Sequence, residues 1–249
     1  MAAALLRPMS KGELLDGAFT IYRKNFLLFV AVGLILVAPQ LVLDQVSPGL
    51  GGFVSWLFGA ALTASMIWMA AEATLGRTPK IGAALGVGFR RFFPIIVSSF
   101  LVGLLIGLGF LFLIVPGILL SIMAFALHPV VVLEGEWVGF SRSAKLAKGV
   151  WGHIAILSII AWLIVLLPTI GVAVITMLVN GSTPGTTASD QAAFLHSLTL
   201  VANISVVFIA PFSHSLTTLM YFDQRVRKEG FGIEAQAAAL GGAGATARP

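Results

Sequence analysis

The basic residues of this chain are confined to four short segments, and this distribution constrains the fold more than any other feature. All 15 Lys and Arg residues lie within Arg7–Lys24, Arg77–Arg91, Arg142–Lys148 and Arg225–Arg248. Three stretches without a basic residue separate them: 25–76, 92–141 and 149–224. Each stretch is long enough to cross a bilayer and return, since one helical crossing needs about 20 residues. Lys and Arg near span ends are retained on the cytoplasmic side, so the clusters predict three outward-and-return helix pairs.

The composition supports a membrane protein. The chain has 249 residues, of which 58% are hydrophobic and 10% are charged, whereas soluble domains average about 25% charged residues. The net charge of +5 is spread among the ends of apolar segments, so anionic lipid headgroups are expected as partners rather than nucleic acid. The absence of Cys excludes disulfides, thiolate metal sites and cysteine catalysis.

Six apolar segments are predicted to span the bilayer in one membrane domain, 1–231, followed by a disordered cytoplasmic tail, 232–249. The spans are about 26–43, 51–71, 93–114, 117–133, 151–178 and 192–221. Pro116-Gly117 is predicted to form the turn between the third and fourth spans, and a re-entrant pair is the alternative there. The far-side loops 44–50, 115–117 and 180–191 contain no Lys or Arg, which places both termini in the cytoplasm. The first span is expected to be an uncleaved part of the mature protein.

An amphipathic segment precedes each pair of spans, at about 10–25, 78–92 and 137–150. In the first, Ser10 and Glu13 match a capping box, in which each side chain bonds a free backbone N–H at the helix start. Such helices lie in the headgroup plane with their apolar face toward the lipid, although ordinary helical connections are the simpler alternative. The predicted fold is thus an all-α membrane protein, in which six transmembrane helices form three repeats of an interfacial amphipathic helix plus a helical hairpin.

Polar side chains within the predicted spans are few. His128 in the fourth span, with Asn203 and His214 in the sixth, forms a candidate intramembrane polar site. Hydrogen bonding between helices is the usual role of such groups. A second interpretation makes His128, His214 and His153 metal ligands with Glu134, but nothing in the sequence shows these spans to be neighbours. We expect no metal, no cofactor and no catalytic residue.

Three segments carry a resemblance to a known family. They are residues 7–19 with Tyr22-Arg23, residues 129–135 with Ser143 and Lys148-Gly149, and residues 221–231. Together they resemble a bacterial integral membrane family related to the membrane domain of glycerophosphodiester phosphodiesterases. In the fused proteins of that family the activity belongs to a separate soluble domain. The resemblance therefore implies a stand-alone membrane domain without enzymatic activity, in the bacterial plasma (inner) membrane.

Charged residues of both signs lie near the predicted cytoplasmic ends of the spans. The candidate interfacial charge network comprises Glu13, Asp16, Arg23, Glu134, Arg142, Asp223, Arg225, Arg227 and Glu229. We predict that these residues pair across the repeats and tie the interfacial helices to the bundle; the alternative is that the basic members only contact lipid. The expected function is a lipid-associated scaffold, a partner subunit or an envelope-stress factor, with a homo-oligomer or another membrane protein as partner. The alternative is a transporter or channel-like protein for a small, peptide or lipid substrate.

Overall fold

The computed structural model describes residues 7–179 and 188–230, and these residues are helical almost throughout. The helices are α1 (Lys11–Lys24), α2 (Phe26–Val46), α3 (Pro48–Thr74), α4 (Ile81–Phe112), α5 (Ile114–Met123), α6 (Leu127–Pro129) with the π-helical turn Val130–Glu134, α7 (Phe140–Ala147), α8 (Trp151–Val179) and α9 (Ala188–Glu229). The predicted tail lies outside these residues, as does most of the predicted 180–191 loop.

Six segments of this structure are apolar and long enough to cross a membrane. They are Phe26–Leu43, Leu50–Thr74, Ile81–Phe112, Ile114–Glu134, Trp151–Ile175 and Ser205–Glu229. The chain is therefore an all-α multi-pass membrane protein, as the sequence predicts. Many large apolar side chains on these segments are exposed, which is the surface expected of helices solvated by lipid.

The three amphipathic segments take two different forms. The first and third contain separate helices, α1 and α7. The second needs correction: no break separates 78–92 from the third span, since a single helix runs from Ile81 to Phe112. Pro94 removes one backbone donor inside this helix. Packing nevertheless continues across the predicted junction, where Phe92 and Ile95 contact an apolar cluster that includes Ala64 on α3.

The capping box predicted at the start of α1 forms in the structure. Ser10 Oγ accepts from the backbone N–H of Glu13 at 3.3 Å, and the Glu13 carboxylate accepts from the backbone N–H of Ser10 at 2.8 Å. This capping box satisfies two N–H groups that the first turn leaves without helical partners. At the other end Asn25 ends α1, and its side-chain amide donates to the carbonyl of Ile21. The chain turns there into α2.

The centre of the bundle is filled with apolar side chains. Phe29 and Leu36 of α2 are at most 1% exposed, as are Met66 of α3 and Leu216 of α9. Gly88 lets α4 approach α3 closely, because a Cβ there would lie 2.8 Å from the carbonyl oxygen of Ala61. The described core therefore has the dense packing typical of protein interiors.

The turn between the third and fourth spans lies earlier than the sequence predicts. The chain reverses at Leu113, whose backbone is extended, and Pro116-Gly117 lies inside α5. Proline is tolerated in a first helical turn because the N–H groups there have no helical partner. Gly117 packs on the ring of Phe110, where a Cβ would clash. The side chains at 111–115 are apolar and 66–77% exposed, so the tip of this hairpin offers lipid an apolar surface.

The fourth span is not one continuous helix over 117–133. It is interrupted at residues 124–126, between α5 and α6, and Pro129 supplies no N–H donor in the following turn. The buried hydroxyl of Ser143 on α7 repairs the break. It donates to the carbonyl of Met123 at 2.7 Å and accepts from the backbone N–H of Ala126 at 3.0 Å. An interrupted helix is tolerated in a membrane where a neighbouring side chain satisfies the backbone groups it leaves free.

Candidate functional site at the basic end of the bundle

Residues of all four basic segments meet at one end of the bundle, which we call the basic end. Arg142 of α7 lies at the centre of one cluster there. Its Nε donates to Glu134 Oε2 at 2.8 Å, and its Nη2 donates to Glu229 Oε2 at 2.9 Å, while Nη1 bonds the second oxygen of Glu229. These three residues come from α7, from the π-helical turn and from α9. The guanidinium thus joins three elements that are distant in sequence.

Tyr221 and Arg225 of α9 complete this cluster. The Tyr221 hydroxyl donates to Glu134 Oε1 at 2.7 Å and accepts from Arg225 Nη1 at 3.2 Å. Arg225 also donates through Nε to Glu229 Oε2 at 3.0 Å. We call these five residues, Glu134, Arg142, Tyr221, Arg225 and Glu229, the Arg142 network.

The charged side chains of the Arg142 network pair with one another. The side chains of Arg142, Glu134 and Glu229 are only 19–28% exposed. Hydrogen bonds to Glu229 and Glu134 raise the pKa of the Arg142 guanidinium above its ordinary value. Both carboxylates accept from cationic or phenolic donors, so their lone pairs serve structure and are not free to act as a general base. The arrangement therefore suits anchoring better than catalysis.

A second cluster ties the segment before α1 to α9. Asp223 is fully buried, and its carboxylate accepts from the backbone N–H of Met9 at 2.8 Å, from Gln224 Nε2 at 3.0 Å and from Arg227 Nε at 2.8 Å. Arg227 Nη2 donates to the carbonyl of Met9 at 2.6 Å. An acid and a base on α9 thus bind both backbone polar groups of one residue. We call this arrangement the Met9 clamp.

Two further contacts join the remaining basic segments. Lys228 Nζ donates to the carbonyls of Lys145 and Leu146 at 3.1 and 2.8 Å, and to that of Lys148. These carbonyls end α7, where a cation is favoured by the helix dipole. Arg91 Nη1 donates to the carbonyl of Gly135 at 3.3 Å. The end of α7 and the first third of α4 are thereby fixed to the same surface.

The predicted charge network is only partly assembled. Glu134, Arg142, Arg225 and Glu229 come together, and Asp223 pairs with Arg227 in a separate cluster. Glu13 instead pairs locally with Arg7 and caps α1. Within the ranges that the structure describes, Asp16 and Arg23 form no ion pair. The prediction of pairing between segments therefore holds for α7 and α9, but α1 is attached through the Met9 backbone.

Sequence reasoning missed several members of these clusters. Tyr221 was part of the family-like segment 221–231, but no pattern indicated that its hydroxyl bonds Glu134. Met9 takes part only through its backbone, which no side-chain pattern can reveal. Lys228 bonds carbonyls at the end of a different helix, α7, and no local sequence pattern indicates that pairing. Ser143 lies close to the family-like residues 129–135 in sequence, but no sequence pattern indicates that its hydroxyl satisfies the break in the fourth span.

The candidate intramembrane site differs from the predicted set of residues. His128 Nε2 lies 2.9 Å from Ser99 Oγ of α4. His128 lies on α6, which contacts α9, the helix that contains His214, whereas the side chain of Asn203 lies outside the part of the chain that the structure describes. Among the described residues, no three His, Cys, Asp or Glu side chains form a group that could hold a metal ion.

Two grooves lie on the flanks of the bundle. The first, which we call the polar groove, has a volume of about 320 Å³ and is lined by residues of α3 and α4 together with His128. The second, which we call the apolar groove, has a volume of about 370 Å³ and lies where the α4–α5 hairpin meets α8. Exposed aromatic side chains stand beside both: Trp56 and Phe100 at the polar groove, and Trp162 at the apolar groove. Both grooves therefore face the lipid side.

In comparisons with known proteins, no family model, curated protein or solved structure matches the chain.

Proposed function

We propose that this chain is a non-enzymatic, lipid-associated protein of the bacterial plasma membrane, acting as a scaffold, partner subunit or envelope-stress factor. The observation that carries the proposal is a filled bundle whose grooves open sideways, toward the bilayer. The resemblance of residues 7–19, 129–135 and 221–231 to a bacterial membrane family supports the choice of membrane. The positive-inside rule supports a cytoplasmic location for the basic end and both termini.

The distribution of free space favours lipid over a water-soluble substrate. Phe29, Leu36, Met66 and Leu216 fill the middle of the bundle, and the grooves lie outside this core. The two grooves have volumes at the lower end of the range for small-molecule sites. Side chains at their edges are exposed to the same surface that lipid tails cover: Phe100 is 67% exposed and Trp162 is 61% exposed. An acyl chain reaches such a groove directly from the bilayer.

The basic residues at the basic end fall into two groups. Arg142, Arg225, Arg227 and Lys228 are engaged within the protein. A second group is exposed and forms no ion pair within the described ranges: Arg23, Lys80, Arg90, Lys145 and Lys148. Anionic headgroups attract such residues by about 1 kcal/mol each. This second group therefore provides the contact surface for anionic lipid.

A transporter for a small, peptide or lipid substrate is the second candidate. The positions of His128 and His214, within apolar spans and on two elements that contact each other, favour it, because intramembrane polar groups often mark substrate paths. A transported substrate requires an alternative packing of the bundle that opens to both sides. Cysteine accessibility at residue 128 from both membrane faces distinguishes the two candidates, and labelling from both faces favours transport.

Copurification from native membranes tests the proposal most directly. The full chain is extracted with the surrounding lipid in a polymer nanodisc, and lipids and proteins are both identified by mass spectrometry. Enrichment of particular lipids over the bulk membrane is the expected result, whereas a lipid profile equal to that of the bulk membrane contradicts lipid association. A phosphatase or fluorescent reporter inserted within 180–187 tests orientation: the proposal requires the periplasmic phenotype.

A further inference from the structure

The polar groove contains hydrogen-bonding groups in an otherwise apolar wall. Thr63 of α3, Ser99 of α4 and His128 line it together with aliphatic and aromatic side chains. Among the described residues that line this groove, none is Lys, Arg, Asp or Glu. The side chain of Ser99 is exposed, and it lies in the segment Ile81–Phe112, which is apolar and long enough to cross a membrane. A polar group in an apolar environment carries a free-energy cost unless a hydrogen-bond partner satisfies it.

The hydrogen bond between Ser99 and His128 defines what that partner must offer. If the Ser99 hydroxyl donates to Nε2 of His128, the Ser99 oxygen keeps both of its acceptor sites. If Nε2–H of His128 donates instead, the Ser99 oxygen keeps one acceptor site and its own proton is free to donate. In both tautomers the Ser99 oxygen accepts a further hydrogen bond. The Thr63 hydroxyl adds a donor and forms no hydrogen bond to another described residue. The groove thus matches a ligand that carries a hydroxyl donor and a nearby carbonyl acceptor.

We propose that the polar groove binds a neutral glycerolipid with a free hydroxyl, of the diacylglycerol class. The ligand hydroxyl donates to the Ser99 oxygen, the adjacent ester carbonyl accepts from Thr63, and an acyl chain lies along Trp56 and Phe100. A phospholipid is disfavoured because its phosphate charge has no cationic partner among the described residues that line the groove. This inference rests on the lipid association proposed above and adds the class of lipid.

Gly59 provides a sharp test. It lines the groove, and a Cβ at this position meets nothing within 4 Å, so Gly59→Leu fills the groove without a backbone clash. Gly171→Leu is the matched control, since a Cβ at Gly171 also meets nothing within 4 Å and Gly171 lies on α8, which contributes none of the described residues that line this groove. The double variant Ser99→Ala/Thr63→Val keeps the shape of the groove and removes both hydroxyls. Thermal unfolding in detergent verifies that each variant is folded.

The measurement is photo-crosslinking of the full chain, in phosphatidylcholine nanodiscs, to a diacylglycerol with a diazirine in one acyl chain. We expect saturable labelling of residues in the groove, competed by dioleoylglycerol but not by added phosphatidic acid. The Ser99→Ala/Thr63→Val variant should require about tenfold more probe for half-saturation, the loss expected for one or two hydrogen bonds. Gly59→Leu should abolish saturable labelling, and Gly171→Leu should leave it unchanged.

Equal labelling of wild type, Gly59→Leu and the double variant overturns the inference, and so does competition by phosphatidic acid as strong as that by dioleoylglycerol. If Gly59→Leu does not fold, the double variant alone decides by the same criterion. Failure here is distinguishable from failure of the proposed function. If particular lipids copurify but the diacylglycerol probe does not give saturable labelling, only the proposed lipid class is refuted. If the copurified lipids match the bulk membrane, the proposed lipid association itself is refuted.

Discussion

The carboxylate of Asp223 accepts a hydrogen bond from the backbone N–H of Met9 at 2.8 Å, across 214 residues of sequence. Arg227, one turn further along α9, binds the Met9 carbonyl. The start of the chain is therefore attached to the last membrane helix through its backbone. The identity of the side chain at position 9 does not affect these two bonds, although that side chain is itself buried.

Removing the Asp223 carboxylate should destabilise the protein and loosen α1. Asp223→Ala leaves the Met9 N–H and the Arg227 Nε–H without their acceptor, and the expected loss is about 2 kcal/mol because Arg227 is partly exposed. Denaturant titration in detergent micelles measures this loss, and faster trypsin cleavage after Lys11 reports the loosening. Glu136→Ala is the matched control, since Glu136 is exposed and unpaired among the described residues. Equal stability of the two variants would contradict the Met9 clamp.

The bridge between Arg142 and Glu229 should be measurable as a coupling energy. Arg142→Gln and Glu229→Gln each remove one partner, and a double-mutant cycle isolates the pair. Because both side chains are about a quarter exposed, we expect a coupling of about 1 kcal/mol, not the larger value of a buried pair. The same cycle between Arg142 and Asp16 should give no coupling. A coupling energy of zero for Arg142 and Glu229 would show that this ion pair does not stabilise the fold.

Ser143 should be more important for stability than its neighbour on the same helix. Ser143→Ala leaves the Met123 carbonyl and the Ala126 N–H unsatisfied in a buried position, at a cost of about 1–3 kcal/mol. Ser141→Ala, on the exposed face of α7, should change the free energy of unfolding by less than about 0.5 kcal/mol. Thermal unfolding in detergent compares the two variants. A Ser143→Ala protein as stable as Ser141→Ala is incompatible with repair of the broken span by this hydroxyl.

The close approach of α3 and α4 predicts opposite effects at two glycines. Gly88→Ala places a methyl group against the Ala61 carbonyl and the Ser65 hydroxyl, and such overpacking costs about 1–3 kcal/mol. At Gly86, where a Cβ meets nothing within 4 Å, alanine should stabilise the helix by about 0.5–1 kcal/mol. Unfolding midpoints in detergent should therefore move in opposite directions. Two shifts of the same sign would refute the helix contact.

The capping box predicts an unusually acidic Glu13. Hydrogen bonds from the Ser10 backbone and from Arg7 hold the pKa of Glu13 at about 2, below its ordinary value of 4.5. Because the folded-state pKa is depressed, this contribution to α1 is fully present above about pH 4.5 and is lost as the pH falls through about 2. Carbon-13 NMR titration of the Glu13 carboxyl measures the midpoint. Arg7→Gln should raise it, though not to 4.5, since the Ser10 N–H remains; Arg77→Gln should leave it unchanged.

The sequence predicts the number and type of spans well, because both depend on simple physical quantities. The length of each apolar run and the position of basic residues decide which segments are transmembrane. The capping box was equally predictable, since Ser10 and Glu13 interact only with nearby backbone. The break within the fourth span was not, because it depends on Ser143, a partner from another element.

The candidate sites show the same division between local and distant contacts. The charged residues of the Arg142 network could be chosen from the sequence, since few charges flank the spans. Their pairing could not, because Glu13 has a closer partner in Arg7 and the attachment of α1 uses the Met9 backbone. Likewise, the position of His128 within an apolar segment was visible in the sequence, whereas its bond to Ser99 depends on how α4 crosses the bundle.

Ser143 also sets an order of events during synthesis. The carbonyl of Met123 and the N–H of Ala126 are satisfied by a side chain about twenty residues further along the chain. The break in the fourth span therefore leaves the ribosome before Ser143 does, and it is satisfied only after α7 has also emerged and has folded back against it. Until then, this segment should be the part of the nascent chain most dependent on the insertion machinery for shelter from lipid.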